Sequence, residues 1–430
     1  MIIKNGNIFG EDGVFRKGHV VVVDEKIEKI YNFEKELELV NLDSLVHDKF
    51  ETFYEKETEL ADLEYLSCNK FGISDSEENG LKDVNNLSYK EPIIDAEGCY
   101  VIPGFVDIHF HGCVGFDFCD GTPEAFDAIT EYQLKNGITA LSPATMTLSR
   151  EELARIFKAA GSYQNTKGSK IHGITMEGPF LSQEKKGAQN SAYICKPDVE
   201  FYHEMQNLCG NLIRQVAVAP EEDEENAFIK EVSKETVISL AHTVTDYETA
   251  HKAFEDGATH VTHLLNGMSA FSHREPGIVG AAFDHKDVYV ELICDGVHIH
   301  PSMVRAMFVL FGADRICMIS DSMMATGLCD GDYMLGGQPV KVVGKKAFLA
   351  DGTIAGSVSN LYDCFKIAVK EMQIPLEAAI TSCTKTSAKS LGLEEQCGIL
   401  KAGRDADMVI LDKALNIVKV IKSGKIVNVS

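Results

Sequence analysis

This sequence has few positive charges relative to its negative ones. Lys and Arg number 41 against 65 Asp and Glu, which gives a formal net charge of -24 at pH 7. A protein without a basic field does not attract a polyanion, so we expect neither nucleic-acid binding nor attachment to an anionic membrane. A small anionic substrate would need local attraction from Arg, His or backbone N–H groups.

Long apolar runs and a secretory leader are also missing. No segment has about 18 unbroken apolar residues, the length that suggests a membrane-spanning helix. The first residues enter strand-like sequence directly, without the three regions of a signal peptide. The 12 cysteines are scattered, and several lie inside apolar patterns (Cys294, Cys317 and Cys364), which is typical of reduced, buried thiols rather than of disulfides. We therefore expect a cytoplasmic protein.

A chain of 430 residues is too long to fold around one ordinary compact core, and its length suits an α/β barrel with a smaller domain. Strand-like sequence at 1–33, with turn signals at Asn5-Gly6 and Asp12-Gly13, has a counterpart in residues 407–411 and 418–427. We predict a small β domain built from both chain ends, residues 1–100 and 396–430.

An acidic insertion interrupts the first part of that domain. Residues 34–91 contain 16 Asp and Glu against 6 Lys and Arg, yet their apolar residues from Leu42 to Leu63 keep a helical spacing. We predict an amphipathic helix at 40–66. A partly disordered acidic segment is the alternative.

Eight apolar runs alternate with amphipathic helical patterns after residue 100. The runs lie near 101–108, 138–145, 171–176, 213–219, 236–241, 258–264, 288–294 and 315–320. Continuous apolar runs are typical of parallel strands buried on both faces, and eight such units favour a (β/α)8 barrel over an open sheet. The predicted fold class is α/β, with a TIM-type barrel at 101–395. A Gly-rich excursion at 335–356 is expected near the small domain or the active site.

Ionisable side chains recur at the C-terminal ends of these runs, where barrel enzymes place their active sites. They are His109, His111, Glu177, His242, His263, Asp295, His298 and Asp321. Each one alone is more often a core or turn residue, but together they predict a metal site. His109 and His111 stand two residues apart on one strand, so both imidazoles point to the same side.

Imidazole and carboxylate ligands suit a divalent transition metal such as Zn, Fe(II), Co or Mn better than they suit Ca or Mg. Such an ion lowers the pKa of its bound water. A neighbouring carboxylate can take the proton of that water and pass it to a leaving amine. Hydrolysis of an amide or a related C–N bond is the chemistry that this site predicts.

The segments that carry these residues have recognisable motifs. Pro-Gly-Phe-Val-Asp-Ile-His-Phe-His-Gly at 103–112, Asp321 and the Gly-Ile-Leu-Lys-Ala-Gly-Arg-Asp-Ala-Asp stretch at 398–407 resemble the amidohydrolase superfamily. The segments 176–180, 185–190, 241–243, 262–268, 274–277, 295–298 and 354–357 resemble, within it, the N-acetylglucosamine-6-phosphate deacetylase family. The match runs over residues 1–33 and from 92 to the end.

The resemblance implies roles for individual residues. Glu177, His242 and His263 would bind the metal that all members share, and His109, His111 and Asp321 could complete a second site. Asp321 would be the general base and then the acid. The implied substrate-binding residues are Ala188, Gln189, Asn266, Gly267, Arg274, Asp295, His298, Ile354, Ala355 and Gly356.

The resemblance also implies a reaction, the removal of the acetyl group from N-acetyl-D-glucosamine 6-phosphate to give D-glucosamine 6-phosphate and acetate. One or two metal ions per subunit would serve it. In the family the phosphate-binding arginine can come from the neighbouring subunit, so Arg274 implies a homodimer. Gln189 stands where some members have a His that polarises the acetyl carbonyl, and its amide can still donate that hydrogen bond.

Other functions remain open alternatives. The nearest are further metal-dependent amidohydrolases, namely an N-acetylgalactosamine-6-phosphate deacetylase, a D-aminoacylase or an adenine deaminase. The Arg274-Glu-Pro-Gly motif close to Asn266-Gly-Met argues against the last two. A barrel that has lost catalysis and serves as a scaffold is the alternative from another class, and the complete set of strand-end ligands argues against it.

Overall fold

The structure is a computed structural model that describes residues 1–33 and 92–428. The predicted helix at 40–66, with the rest of the acidic insertion at 34–91, lies outside the described residues. The strands in chain order are β1 (Ile2–Phe9), β2 (Phe15–Val23), β3 (Lys26–Asn32), β4 (Ile93–Asp95), β5 (Tyr100–Pro103), β6 (Phe105–Asp107), β7 (Gly112–Cys113), β8 (Phe116–Asp117), β9 (Ile138–Leu141), β10 (Lys170–Ile171), β11 (Ile174–Met176), β12 (Ile213–Val218), β13 (Val237–Leu240), β14 (His260–Val261), β15 (Tyr289–Ile293), β16 (Ile316–Ile319), β17 (Gly331–Leu335), β18 (Gln338–Val343), β19 (Lys346–Phe348), β20 (Met408–Leu411), β21 (Ile417–Lys422) and β22 (Lys425–Val427).

Helices fill most of the intervals between the strands after β8. They are α1 (Pro123–Lys135), α2 (Arg150–Ser162), α3 (Val199–Leu208), α4 (Ala227–Val232), α5 (Tyr247–Glu255), α6 (Gly277–Asp284), α7 (Pro301–Phe311), α8 (Leu361–Lys370), α9 (Leu376–Cys383) and α10 (Lys385–Ser390), with short 3₁₀ turns at Phe118–Asp120, Pro220–Glu222 and Glu224–Asn226. Side-chain caps start several of them. Thr122 accepts from the Ala125 N–H, and Ser149 forms a capping box with Glu152. No helix in the described part of the chain is long and apolar enough to cross a membrane.

One eight-stranded sheet combines the two ends of the chain. Its order is β22-β21-β20-β5-β1-β2-β3, with β4 paired to β1. Apolar residues from both ends, such as Ile3, Val20, Met408 and Ile421, pack into one core cluster. The Asn5-Gly6 turn prediction is wrong, because β1 continues through these residues with a bulge and Asn5 takes a positive φ of 62°.

Parallel strands make up two further sheets, in the orders β10-β9-β6 and β11-β12-β13-β14-β15-β16. A parallel bridge between Ala144 and Thr175 links the two sheets. At the other end, the Asp321 N–H donates to the His109 carbonyl at 2.9 Å, and the His111 N–H donates to the Ser322 carbonyl at 2.7 Å. The segment after β16 therefore lies beside the segment after β6. The α/β class and a parallel strand in every one of the eight runs are confirmed.

The first apolar run, predicted as one strand over 101–108, is divided at Gly104. β5 pairs antiparallel with β20, whereas β6 pairs parallel with β9. The Gly104 N–H donates to the Asp407 carbonyl, and the next N–H, of Phe105, donates to the Gly137 carbonyl. A Cβ at residue 104 would stand 2.1 Å from the Thr139 hydroxyl oxygen, so only glycine fits where the chain passes from one sheet to the other.

The excursion after the eighth run forms an antiparallel sheet of β17, β18 and β19. Leu335 and Val340 from this sheet pack in one apolar cluster with Met146 and Met323. The Gln338 side-chain amide donates to the Ala188 carbonyl. This small sheet thus lies against the loop that carries Ala188 and Gln189.

Candidate active site

Six of the predicted residues form one buried cluster at the C-terminal ends of the parallel strands. The cluster contains His109 and His111 after β6, Glu177 after β11, His242 after β13, His263 after β14 and Asp321 after β16. Two ligand sets can be drawn from it. One is His109, His111 and Glu177, and the other is Glu177, His242 and His263.

Glu177 lies between two pairs of imidazoles. Its Oε1 is 3.1 Å from His242 Nε2 and 3.2 Å from His263 Nε2. Its Oε2 is 3.3 Å from His111 Nε2 and 3.6 Å from His109 Nε2. Each carboxylate oxygen therefore faces one histidine pair, which is the arrangement of a ligand that can bridge two ions.

Asp321 completes the side that holds the first histidine pair. Its Oδ1 is 3.2 Å from His111 Nε2 and 3.8 Å from His109 Nε2. The carboxyl group is buried, and no Lys or Arg within the described ranges pairs with it or with Glu177. A carboxylate that faces only imidazoles and the cluster centre is well placed to handle a proton there.

Three of these residues have an unusual backbone conformation. The φ angles are 43° at His242, 30° at His263 and 49° at Asp321. A non-glycine residue in this region costs on the order of 1–3 kcal/mol and persists where its surroundings fix it, most often at functional sites. The turn at the end of each strand directs the side chain inward, toward the cluster.

The donor set fits a divalent cation. His242 Nε2 and His263 Nε2 are only 3.1 Å apart and face the same carboxylate oxygen. His109 Nε2 is buried, and within the described chain it has no hydrogen-bond partner. Burial lowers the pKa of His111, but the carboxylates of Asp321 and Glu177 outweigh burial and raise it to about 10. The cluster therefore attracts positive charge, which protons or a metal can supply.

In three of the four histidines, Nδ1 has a hydrogen-bond partner outside the cluster, which fixes the orientation of the ring. His242 Nδ1 is 2.8 Å from the Lys185 carbonyl, and His263 Nδ1 is 3.1 Å from the Asn266 carbonyl. A carbonyl oxygen accepts, so Nδ1 carries the hydrogen in both rings and the Nε2 lone pair faces Glu177. His109 Nδ1 instead lies 3.0 Å from the Glu291 carboxylate.

Sequence reasoning missed these hydrogen-bond partners of the Nδ1 atoms. Two of them are backbone carbonyls, for which no residue type is a signal. Glu291 did have a signal, since it is a lone carboxylate in the apolar strand Tyr-Val-Glu-Leu-Ile.

Gln189 is placed directly against the ligand cluster. Its Nε2 donates to Glu177 Oε2 at 2.8 Å, and its Oε1 accepts from the Thr147 N–H at 2.7 Å. One amide hydrogen is thereby used to hold Glu177, and Nε2 also lies 3.8 Å from Met146 Sδ, a weak acceptor for its second hydrogen.

Asp295 and His298 form a pair after β15. Asp295 Oδ2 is 2.7 Å from His298 Nδ1, and Asp295 Oδ1 accepts from the His298 and Val297 N–H groups. Burial lowers the pKa of His298, but its hydrogen bond to Asp295 raises it above the ordinary value. This imidazole can thus carry positive charge toward an anionic ligand.

The remaining substrate-binding candidates lie on loops around the cluster. Asn266 and Gly267 follow His263, and a Cβ at Gly267, where φ is 61°, would stand 2.9 Å from His242 Nδ1. Ala355 is buried and Ile354 is exposed. The Ser357 N–H, one residue after Gly356, donates to the Asp321 carbonyl at 2.8 Å.

Arg274 is not part of the buried cluster. It lies in the exposed loop before α6 and makes no hydrogen bond or ion pair with another residue of 1–33 or 92–428.

Comparisons with known proteins identify the family of this chain. The sequence profile described as Amidohydrolase family matches residues 100–427. A Bacillus subtilis (strain 168) protein named N-acetylglucosamine-6-phosphate deacetylase is 35% identical over 349 residues, which cover 80% of this chain and 88% of that protein. An Escherichia coli O157:H7 protein named N-acetylgalactosamine-6-phosphate deacetylase is 29% identical over 335 residues, 77% of this chain and 88% of that protein.

A solved structure extends the similarity to the whole fold. It is a mutant of N-acetyl-D-glucosamine-6-phosphate deacetylase from Mycobacterium smegmatis in complex with N-acetyl-D-glucosamine-6-phosphate. The TM-score is 0.80 at 26% identity, covering 99% of this chain and 98% of that one. The resemblance drawn from the sequence motifs is confirmed, and the chain belongs to the amidohydrolase family.

Proposed function

We propose that this enzyme is a metal-dependent N-acetylglucosamine-6-phosphate deacetylase, which hydrolyses the acetamide of N-acetyl-D-glucosamine 6-phosphate to D-glucosamine 6-phosphate and acetate. The observation that carries the proposal is the bridging position of Glu177 between two histidine pairs, with Asp321 beside it. Three relatives that this chain matches over most of their length are named N-acetylglucosamine-6-phosphate deacetylase.

The ligand cluster defines which residues would hold the metal. Glu177, His242 and His263 would hold one ion, and Glu177 with His109, His111 and Asp321 would hold a second. Zn, Fe(II), Co or Mn suit these nitrogen and oxygen donors. When bound, such ions lower the pKa of water and polarise a carbonyl.

The side chains of the cluster can carry out the proton transfers of amide hydrolysis. We assign to Asp321 the removal of a proton from the attacking water, whose oxygen bonds to the acetyl carbon. The same carboxyl then gives the proton to the sugar nitrogen as the C–N bond breaks, which balances the reaction. Gln189 holds Glu177 with one amide hydrogen, and its other hydrogen, which meets the weakly accepting Met146 sulfur, would have to turn to the acetyl carbonyl oxygen.

Other residues would hold the sugar phosphate. We assign this role to Asn266, the Gly267 backbone, Arg274 and the Asp295–His298 pair, with Ala188, Ile354, Ala355 and Gly356 lining the pocket. The protein as a whole is strongly acidic, so a phosphate dianion depends on these local groups.

A panel of N-acetylated hexosamines tests the proposal. Acetate release should be fastest with N-acetyl-D-glucosamine 6-phosphate and much slower without the 6-phosphate. The galactosamine epimer belongs in the panel, because one relative is named for it. Release of acetate from N-acetyl-D-amino acids but not from the sugar phosphates would overturn the proposal.

Arg274→Ala should raise KM sharply for the phosphorylated sugar and little for the unphosphorylated one. A guanidinium binds a phosphate through paired charge-assisted hydrogen bonds, and its loss removes interactions that the neutral sugar never makes. Initial rates over a range of both substrates measure this effect. His273→Ala, in the same exposed loop, is the matched control. Equal losses on both substrates would make Arg274 structural.

Arg274 is exposed and has no ion-pair partner among residues 1–33 and 92–428, which supports a homodimer in which this residue serves the neighbouring subunit's site. Mixing tests this arrangement. At a concentration of the phosphorylated sugar far below the raised KM, Arg274→Ala chains are expected to be nearly inactive alone, and Asp321→Asn chains are expected to be nearly inactive at any concentration. Subunit exchange between them would restore activity, because an Arg274→Ala site with intact Asp321 receives Arg274 from its neighbour. No restoration after demonstrated exchange would place Arg274 in its own subunit's site.

A double variant, His109→Gln with His111→Asn, should lower the metal content from about two equivalents per chain to about one. Glu177, His242 and His263 already supply three ligands and leave a position for water, as catalytic zinc sites do. Elemental analysis after reconstitution with Zn, Fe(II) or Co measures the content. Unchanged stoichiometry and kcat at saturating metal would rule out the second ion.

Three structural proposals accompany this function. We infer that the parallel strands close into one (β/α)8 barrel that begins at Phe105 rather than at residue 101 and runs to residue 395, supported by the Ala144–Thr175 bridge and by the hydrogen bond from Asp321 to His109. Residues 1–103 and 396–430 would form the small β domain, because β5 pairs with β20. The cysteines in the described part of the chain are free, which supports a reducing compartment such as the cytoplasm.

A further inference from the structure

A buried carboxylate lies one layer behind the ligand cluster. Glu291 is in the middle of β15, between Val290 and Leu292, and its side chain is 0% exposed. Among the described residues no Lys or Arg pairs with it. Burying a charge without a cationic partner is costly, so hydrogen bonds must hold this carboxylate.

Both oxygens of Glu291 are engaged with residues of other strands. Oε1 accepts from Gln215 Nε2 at 2.8 Å and lies 3.4 Å from His260 Nε2. Oε2 accepts from the His263 backbone N–H at 3.2 Å and lies 3.0 Å from His109 Nδ1. Gln215 and the His263 N–H can only donate in these contacts, so the carboxylate acts as an acceptor on both sides.

The contact with His109 sets the direction of its lone pair. In the neutral imidazole, which is the form that binds a metal, a carboxylate that accepts from Nδ1–H leaves Nε2 as the nitrogen without a hydrogen. Nε2 lies 3.6 Å from Glu177 Oε2 and 3.8 Å from Asp321 Oδ1, and it has no hydrogen-bond partner in the described part of the chain. Its lone pair thus points into the space between these two carboxylates.

We propose that Glu291 is a positioning residue for the second cation site, where it holds His109 in the tautomer and orientation that present Nε2 to the ion. The proposal rests on the proposed metal-dependent function. A carboxylate behind a ligating imidazole fixes the ring and raises its basicity, and its loss typically lowers metal affinity about 10- to 100-fold.

The effect should be confined to one of the two sites. Of the six ligands, His109 alone meets Glu291 through its side chain, whereas His263 meets it through the backbone. In His242 and His263, Nδ1 donates instead to the carbonyls of Lys185 and Asn266. The ion held by Glu177, His242 and His263 therefore does not depend on the charge of Glu291.

Titration of the metal-free protein with Co(II) against a competing chelator tests the proposal, with the visible absorption of bound cobalt recorded in parallel. Glu291→Gln keeps the size of the side chain and removes its charge. We expect the dissociation constant of the second equivalent to rise about 10- to 100-fold while that of the first stays unchanged. Ser239→Ala is the matched control. It changes another buried polar group, one that hydrogen-bonds to Thr262 and not to His109, and it should leave both equivalents unchanged.

A second variant protects the test against a folding failure. Glu291→Asp keeps the charge but withdraws it from Nδ1 by one methylene, so it should also weaken the second equivalent selectively. Two strong equivalents in either folded variant would overturn the proposal, and so would equal weakening of both equivalents. A wild-type protein that binds one equivalent and still releases acetate would overturn it while leaving the deacetylase function intact. Absence of acetate release would instead overturn the proposed function.

Discussion

Asp321→Asn should lower kcat for acetate release by about 10²- to 10⁴-fold or more, while the sugar phosphate still binds. An amide cannot accept the proton of the attacking water or return it to the leaving nitrogen. Asparagine is the appropriate replacement because Asp321 has a φ of 49°, a conformation that Asn tolerates better than most residues. The change therefore removes the acid and base function with little disturbance of the turn after β16.

Steady-state rates and substrate binding, measured on the same preparation, separate the two effects. Titration calorimetry with N-acetyl-D-glucosamine 6-phosphate should show retained binding to the variant. Metal content must be measured as well, because Asp321 is also a candidate ligand and a lost ion would lower kcat for a different reason. Near-normal turnover by fully loaded Asp321→Asn protein would rule out the proton-transfer role.

Glu177→Gln is expected to have a still larger effect, the loss of both ions and of nearly all activity. Glu177 is the only residue that faces both histidine pairs within the described ranges, and its charge is the one that both ions would share. A neutral amide also presents a donor where a cation should be coordinated. The fall in metal affinity should exceed the roughly 10- to 100-fold that is typical for the loss of a ligand's hydrogen-bond partner.

Elemental analysis and acetate release again measure the outcome. Glu221→Gln is a matched control, since Glu221 is another strand-end carboxylate, bonded to Thr243 and the Val244 N–H and not to the cluster. It should retain the wild-type metal content. A Glu177→Gln protein that holds two equivalents would contradict the bridging role.

Much of the fold could be predicted because parallel strands buried on both faces leave a strong pattern in the sequence. All eight apolar runs contain a strand, and helices occupy most of the intervals between them, as the amphipathic patterns predict. Local backbone conformations were harder to predict from the sequence. At Asn5-Gly6 the residues favour a turn, but strand pairing on both sides converts the same positive φ into a bulge. The division at Gly104 arises because two sheets meet there. A local sequence pattern does not predict such a meeting of sheets.

The ligand cluster could be predicted because its members share one position, the end of a strand, and one chemistry. What the sequence could not supply was the way in which these side chains are held. The partners of His242 and His263 are carbonyl groups set by the path of the backbone. Glu291 was visible as a charge in an apolar strand, but its contact with His109 spans 182 positions of the chain.

The passage of the chain through Gly104 also limits how this protein can be recombined. Residues 100–103 belong to the sheet of the two chain ends, and residues 105–107 belong to the parallel strands just before His109. A chimera with its junction within residues 100–107 would join segments from two parents only two to nine residues before His109, a candidate ligand. β20 must then come from the same parent as β5, because the two strands pair residue by residue. In directed evolution by segment exchange, the carboxyl-terminal strands and the segment with His109 and His111 must therefore be taken from the same parent.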